Sequence, residues 1–498
     1  MRRNAALILT VILALFAASA CRRAGPTPAA RVSRIDWAGL GQSVVPPGPD
    51  LRTGYLVVPE NRKARSGMMI RLPFVIMRSR SLEPSSDPVL ISAGGPGGSI
   101  LGHVRNRARN PLLEDRDVIL LEQRGTRFAE PSLTAPRVSE ALRSGWGVNL
   151  NGDPDPRAVK TALAATLDEY RDRRIDLSGY TTRESAADIA DFRRLLGLAS
   201  WNLYGSSYST KIVLTVLRDF PEGIRAVVLD SVLTLESNWD EEAPANILDA
   251  FDRLIAAARE REPLRARLEG FEERWRGFLE AADRRPIDLT LKDLIGGHPL
   301  AVRLDSVGLM NGVYAGLEDP GLIPRLPVLL DEAARGRADL MAPLAEAYLG
   351  SSQGFAWGDR LAVWCAEELP FESAARILHP AGLPPELARF VQTAVPVEAL
   401  KLWPQGHPGP AENLPVRSRV PALIAAGEFD PDTPVAWSRR TASLLENSQF
   451  VVFAGMTHVP LFSHPEAGRI LRQFLARPLG RINPGKTGER RPFAGALE

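Results

Sequence analysis

The chain has 498 residues, 45% of them hydrophobic and 24% charged, which is ample length for a large buried core. Lys and Arg total 61 against 59 Asp and Glu, so the net charge of +2 excludes binding that relies on a strong field of one sign, nucleic acid included. Two cysteines, Cys21 and Cys365, are too few for a disulfide framework.

The N-terminus reads as an export signal over residues 1–20. Met1-Arg2-Arg3 is a positive n-region, and Ala5 to Ala18 is apolar apart from Thr10. That run is shorter than the roughly 20 apolar residues a spanning helix needs. Cys21, directly after the small residues Ala18-Ser19-Ala20, resembles a bacterial lipobox, although Ala18 stands where Leu is usual. It implies cleavage before Cys21 and lipidation of its thiol; an ordinary signal peptide is the alternative. Residues 21–50, rich in Pro, Ala, Gly and Arg, read as a tether.

The first part of the folded domain is expected over 51–235. Gly54–Pro59 and Met69–Met77 are β-rich runs separated by turn residues, an antiparallel pair at a sheet edge. Val89-Leu-Ile91 and Asp117-Val-Ile-Leu-Leu121 are short apolar runs, the pattern of strands covered on both faces. Ile189, Phe192, Leu195 and Leu196 recur at helical spacing behind Thr181 and Glu184, a capping box. Strand-like Trp201–Tyr204 and Arg225–Leu229 then flank another helical pattern. This alternation predicts an α/β doubly wound, mostly parallel sheet. From 236 to 415 the pattern turns helical. Leu264, Leu268, Phe271, Trp275, Phe278 and Leu279 form one stripe among Arg and Glu, read as an inserted helical cap with solvated charged faces. Strand patterns resume within 416–480, at Pro421–Ala426 and Gln449–Phe453, and 481–498 reads as a frayed polar tail.

Chemistry gathers at the strand ends. Gly205-Ser206-Ser207-Tyr208-Ser209 has the small-residue flanks that a nucleophile elbow requires, because the central Ser sits in a turn pressed between strand and helix. Ser207 is the candidate nucleophile, with Ser206 and Ser209 as neighbours outside the middle of the motif. Ser92-Ala-Gly-Gly-Pro-Gly-Gly-Ser99 follows a buried strand and lacks the Lys of a phosphate loop. It suits an oxyanion turn, with the N–H groups of Gly95 and Tyr208 as donors. In the order Ser, acid, His, the acid is Asp430 in Gly427-Glu-Phe-Asp-Pro431, with Asp432 and Asp230 as rivals. The base is His458 in Gly455-Met-Thr-His458, with His464 the weaker candidate. His103, His298, His379 and His407 precede the acid and read as surface or cap residues. No cluster has metal-ligand spacing, so neither metal nor cofactor is expected.

Taken in order, Gly94-Gly-Pro-Gly97, Glu122-Gln-Arg-Gly-Thr126, Gly205-Ser-Ser-Tyr208, Gly427-Glu-Phe-Asp-Pro431 and His458 resemble the prolyl aminopeptidase and tripeptidyl aminopeptidase group of α/β-hydrolases, over about residues 50–478. The resemblance implies a serine exopeptidase acting on peptides with a free N-terminus. It implies that Gln123-Arg124-Gly125 is a structural loop, and that Glu367 and Glu368 in Cys365-Ala-Glu-Glu368 bind the substrate amine. Ala93, Glu122, Arg127 and Ser209 depart from the usual His, Asp, Gly and Gly of that group. An esterase using the same triad, or a catalytically silent envelope lipoprotein, are the alternatives.

Overall fold

The computed structural model describes residues 29–33, 51–64, 66–104, 109–146, 155–292, 299–351, 354–391, 393, 395–490 and 493. The signal segment, Cys21 and His298 lie outside them. Among the described residues no helix is long and apolar enough to cross a membrane.

Among the described residues the core is a sheet of nine strands, in the order β1-β2-β3-β5-β4-β6-β7-β10-β11. Strands β1 (Arg31–Ser33), β2 (Leu51–Pro59) and β3 (Met69–Met77) pair antiparallel, and β3 joins β5 (Val118–Leu121) in the same sense. From β5 through β4 (Val89–Ile91), β6 (Trp201–Ser207), β7 (Ile224–Val232), β10 (Ala422–Gly427) and β11 (Ser448–Phe453), every pairing is parallel. Strands β4, β5 and β10 are buried along their whole length because helices cover both faces.

Helices α1 (Thr182–Leu195) and α2 (Tyr208–Asp219) lie on one face, with Phe192, Ile212 and Val216 packed against Leu203 and Val227. The Thr181 Oγ1 accepts the Glu184 N–H at 3.2 Å, which caps α1. The other half of the capping box does not form. The Glu184 carboxylate turns to Arg62 instead, an ion pair that outcompetes a neutral amide.

Between β7 and β10 lies the cap. Its helices include α3 (Trp239–Arg259), α4 (Phe271–Arg284), α5 (Ser306–Glu318) and α6 (Trp357–Glu367). It also carries an antiparallel hairpin of β8 (Ile287–Lys292) and β9 (Pro299–Leu304). The expected single stripe is broken at Gly270, whose φ of +65° ends one short helix before α4 begins. Helices Pro136–Trp146 and Pro156–Asp172 precede the elbow, yet their Val138, Leu142, Val159 and Leu163 share the cap's apolar cluster with Ile247, Phe271 and Leu326. Two further helices, α7 (Val435–Leu444) and α8 (Ala467–Ala476), complete the sheet domain.

Both ends depart from the sequence reading. The stretch read as a tether supplies β1, a strand on the sheet edge. The stretch read as a frayed tail is docked through residue 490. Ile482 and Thr487 are buried, the Thr487 carbonyl accepts the Ala454 N–H at 2.7 Å, and Arg490 forks onto Glu428. Composition alone hides such docking, because one apolar residue and one ion pair suffice to hold a short segment.

Candidate active site

Strand β6 runs directly into α2, and Ser207 occupies the junction with φ 53° and ψ −129°. A non-glycine residue with positive φ is strained, and here the strain lifts the hydroxyl clear of the sheet. The neighbours explain the small-residue pattern. A Cβ on Gly205 would sit 2.6 Å from the Ser209 carbonyl oxygen, and one on Gly94 2.9 Å from the Ser207 Cβ. Ser209 fits where glycine is usual because its Oγ accepts the Ser206 N–H at 2.7 Å and faces the Ser92 carbonyl at 3.0 Å. Ser209 is buried away from the cavity and Ser206 is buried at its floor, whereas Ser207 is only part-buried and opens into the cavity above the sheet.

The oxyanion turn follows β4. Gly95 has φ +130°, a conformation that L side chains rarely adopt. Its N–H and that of Tyr208, the first residue of α2, donate to no backbone carbonyl among the described residues. Gln123 fastens the turn by donating from Nε2 to the Ser92 Oγ at 2.9 Å and the Ala93 carbonyl at 2.7 Å. Arg124 is buried and grips Asp188 at 2.8 and 2.9 Å and the Glu60 carbonyl at 2.6 Å, so the loop it anchors is structural. Glu122, at the position usually Asp, receives the Leu101 N–H and the Thr126 hydroxyl.

Asp430 lies on the loop after β10 and is fully buried. Its carboxylate accepts the N–H groups of Asp432 and Thr433 at 3.0 and 2.9 Å, the Thr433 hydroxyl at 2.8 Å, and the His458 Nδ1–H at 2.9 Å. Burial alone would raise its pKa, but the His458 charge and these donors outweigh that and hold it below the usual value. An acceptor-only carboxylate fixes the proton on Nδ1 and leaves Nε2 as the working nitrogen. The acid and base loops are pressed together, since a Cβ on Gly427 would lie 1.9 Å from the Thr457 carbonyl oxygen. For His458, burial lowers the pKa, but the charges of Asp430, Glu318 and Asp432 reverse this and hold it well above 6.5.

The rivals separate cleanly. Asp230 takes the Tyr204 hydroxyl at 2.8 Å, and burial pushes its pKa up to about 7. Asp432 accepts from Tyr314 at 2.8 Å. His464 accepts the Glu466 N–H and lies edge-on to Phe453. His103, read as a surface or cap residue, is exposed and also lines the cavity.

Ser207, Gly95 and His458 face one cavity of about 960 Å³ beneath the cap. Glu367 and Glu368 do not line it, which corrects their reading as amine ligands. The Glu367 carboxylate accepts the Thr182 N–H at the start of α1, and Glu368 forms an almost fully buried pair with Lys211 of α2. The carboxylates that do reach the cavity are Asp240, Glu318, Asp319 and Asp432. Asp240 is tied to the Trp364 indole at 2.7 Å, while the buried Glu318 Oε1 meets no hydrogen-bond donor among the described residues. Glu318, Asp432 and His458 each offer an atom within 4.8 Å of the others, a donor set able to hold a cation. Positions 318, 432 and 458 are too far apart in the chain for spacing to reveal that group.

A seryl hydroxyl on a strained elbow, an imidazole locked to a buried carboxylate and a glycine turn beside them can support acyl transfer to water. The chain matches the model of the alpha/beta hydrolase fold family over residues 87–465. It belongs to that family. It is 22% identical over 471 residues to the serine protease Hip1 of Mycobacterium tuberculosis, covering 86% of each chain. It is 28% identical over 226 residues to a tripeptidyl aminopeptidase of Streptomyces lividans, covering 42% of this chain and 41% of that one. It is 27% identical over 179 residues to a proline iminopeptidase of Xylella fastidiosa, covering 35% and 43%. The protein is a serine hydrolase of the α/β-hydrolase fold, with peptidases among its relatives.

Proposed function

We propose that this hydrolase is an aminopeptidase that reads the free α-ammonium of a peptide. Ser207 attacks the scissile carbonyl as His458 Nε2 takes its proton, and the N–H groups of Gly95 and Tyr208 hold the oxyanion. The imidazolium then gives that proton to the leaving amine, and water releases the acyl group by the same steps in reverse. The observation that carries the reading is the Glu318 carboxylate oxygen beside Asp432 that meets no donor among the described residues, inside the cavity that contains Ser207. Buried carboxylates without a cation are costly, and a substrate ammonium satisfies both. The peptidase relatives support the class of substrate.

The test compares aminoacyl arylamides with free and acetylated amines. Free-amine substrates should be strongly preferred. Equal rates on the two would replace the aminopeptidase reading with that of a general acyl hydrolase or esterase.

We also propose export and lipidation at Cys21, on the strength of the positive, apolar and small-residue order of residues 1–21. Cys21→Ala should move the protein from the membrane fraction to the soluble one. An unchanged distribution would refute the lipid anchor.

A further inference from the structure

Helix α6 of the cap is bolted to the oxyanion turn. The Ala356 N–H donates to the Gly97 carbonyl at 2.9 Å, and one turn later Arg360 Nη1 donates to the Gly95 carbonyl at 3.1 Å. Arg360 lines the same cavity as Ser207. Its guanidinium lies 5.0 Å from the centre of the Trp364 ring and 5.7 Å from that of Phe355, so two aromatic faces fix its plane. The Gly95 carbonyl is the one hydrogen-bond acceptor it meets among the described residues, and no carboxylate there lies within 4.0 Å of it. Of the cavity acids, Asp240 accepts from the Trp364 indole and Asp432 from the Tyr314 hydroxyl, so neither is ion-paired with the guanidinium.

A guanidinium presents a planar fork of N–H donors that matches a carboxylate in two parallel bonds. Bracing the Gly95 carbonyl uses one donor and leaves the fork facing the cavity. The fully buried Arg116 and Arg124 are differently placed, since each holds an aspartate of the chain. A half-buried cation without an acidic partner, beside the reacting serine, has the chemistry of a ligand seat.

We propose that Arg360 binds a carboxylate of the substrate. Together with the acids beside His458, it gives the cavity two poles, one for an ammonium and one for an anion. This selects short peptides that carry a carboxylate near the scissile bond, either the free C-terminus or an Asp or Glu side chain. The inference rests on the peptidase reading for the identity of the ligand, but not for the presence of the anion seat.

The experiment measures binding to the full-length Ser207→Ala protein by calorimetry, so that turnover does not enter. The ligands are one tripeptide with a free C-terminal carboxylate, its C-terminal amide, and amides with Glu or Gln at each position. The carboxylate-bearing ligand should bind about tenfold tighter or more than its neutral partner. Arg360→Met in the same background should shrink that ratio to about twofold or less, and Arg360→Lys should leave an intermediate preference, because an ammonium is a point charge. Preference for the terminal carboxylate identifies the C-terminus as the source, and preference for Glu over Gln identifies a side chain. No discrimination, or discrimination that survives Arg360→Met, would overturn the proposal. Loss of all ligand binding alike in a variant that melts normally would also overturn it, by assigning Arg360 only to bracing the turn. Failure of the peptidase reading is seen separately. In the wild type, an aryl ester whose acyl chain ends in a carboxylate should still outrun its carboxamide counterpart if only that reading is wrong.

Discussion

Glu318→Gln isolates the group on which the aminopeptidase reading depends. Burial first, and then the charge of Asp432, hold the Glu318 pKa well above the usual carboxylate range, with His458 opposing. Asp432 is raised as well, first by burial and with the Asp430 charge adding to it. Burial and mutual repulsion therefore favour a proton on the pair, and seating an ammonium favours its release. A charge-assisted hydrogen bond of this kind contributes about 1.5–3 kcal/mol, or roughly 10- to 150-fold in kcat/KM. Glu318→Gln should lower kcat/KM on free-amine arylamides by that factor and leave acetylated ones within about twofold. Titrating a free-amine ligand into the Ser207→Ala protein in buffers of different ionisation enthalpy should show a proton released. With Glu318→Gln added, that release should shrink, because one of the two carboxylates is gone. Equal falls on free and acetylated substrates, with proton release unchanged, would refute the assignment of Glu318 to the amine.

Asp430→Asn leaves the shape of the loop but removes the charge that fixes His458 Nδ1–H, and kcat should fall roughly a thousand- to ten-thousandfold; a fall under about tenfold would point to another acid. His458 must be neutral to act as a base, and the surrounding acids hold its pKa well above 6.5, so kcat/KM should climb through an acidic limb lying above that value. A plateau already reached at pH 6 would contradict this. Lys211→Met strands Glu368, whose side chain is 3% exposed, and should cost about 3–5 kcal/mol of stability in denaturant unfolding. Replacing both partners with apolar residues should recover much of that loss; equal loss in the single and double variants would show that the pair is not the cause.

Much of the site was legible in the sequence because it is assembled from motifs at strand ends. Ser207, Asp430 and His458 each follow an apolar run by a few residues, so parallel strands bring their loops to one edge. The cavity's acids and Arg360 were not legible in the same way. Glu318 ends α5, Arg360 lies on α6, and Asp432 follows β10. They meet only when the cap closes on the sheet, and no periodicity records that contact. Glu367 and Glu368 misled for the opposite reason. The resemblance of Cys365-Ala-Glu-Glu368 to a family pattern implied a binding pair, but the turn there directs them to the Thr182 N–H and to Lys211, where they fasten the cap to α1 and α2. Among the arginines, the resemblance marked Arg124, locked onto Asp188, as part of a structural loop, but nothing in the sequence marked Arg360, which lines the cavity.

The most direct trial is reaction with an active-site fluorophosphonate, followed by mass analysis of the adduct. The wild-type protein should carry one phosphonyl group on Ser207, and Ser207→Ala, folded by its melting curve, should carry none. A wild-type protein that stays unmodified, or a variant that is modified equally at another residue, would contradict the assignment of this serine as the nucleophile.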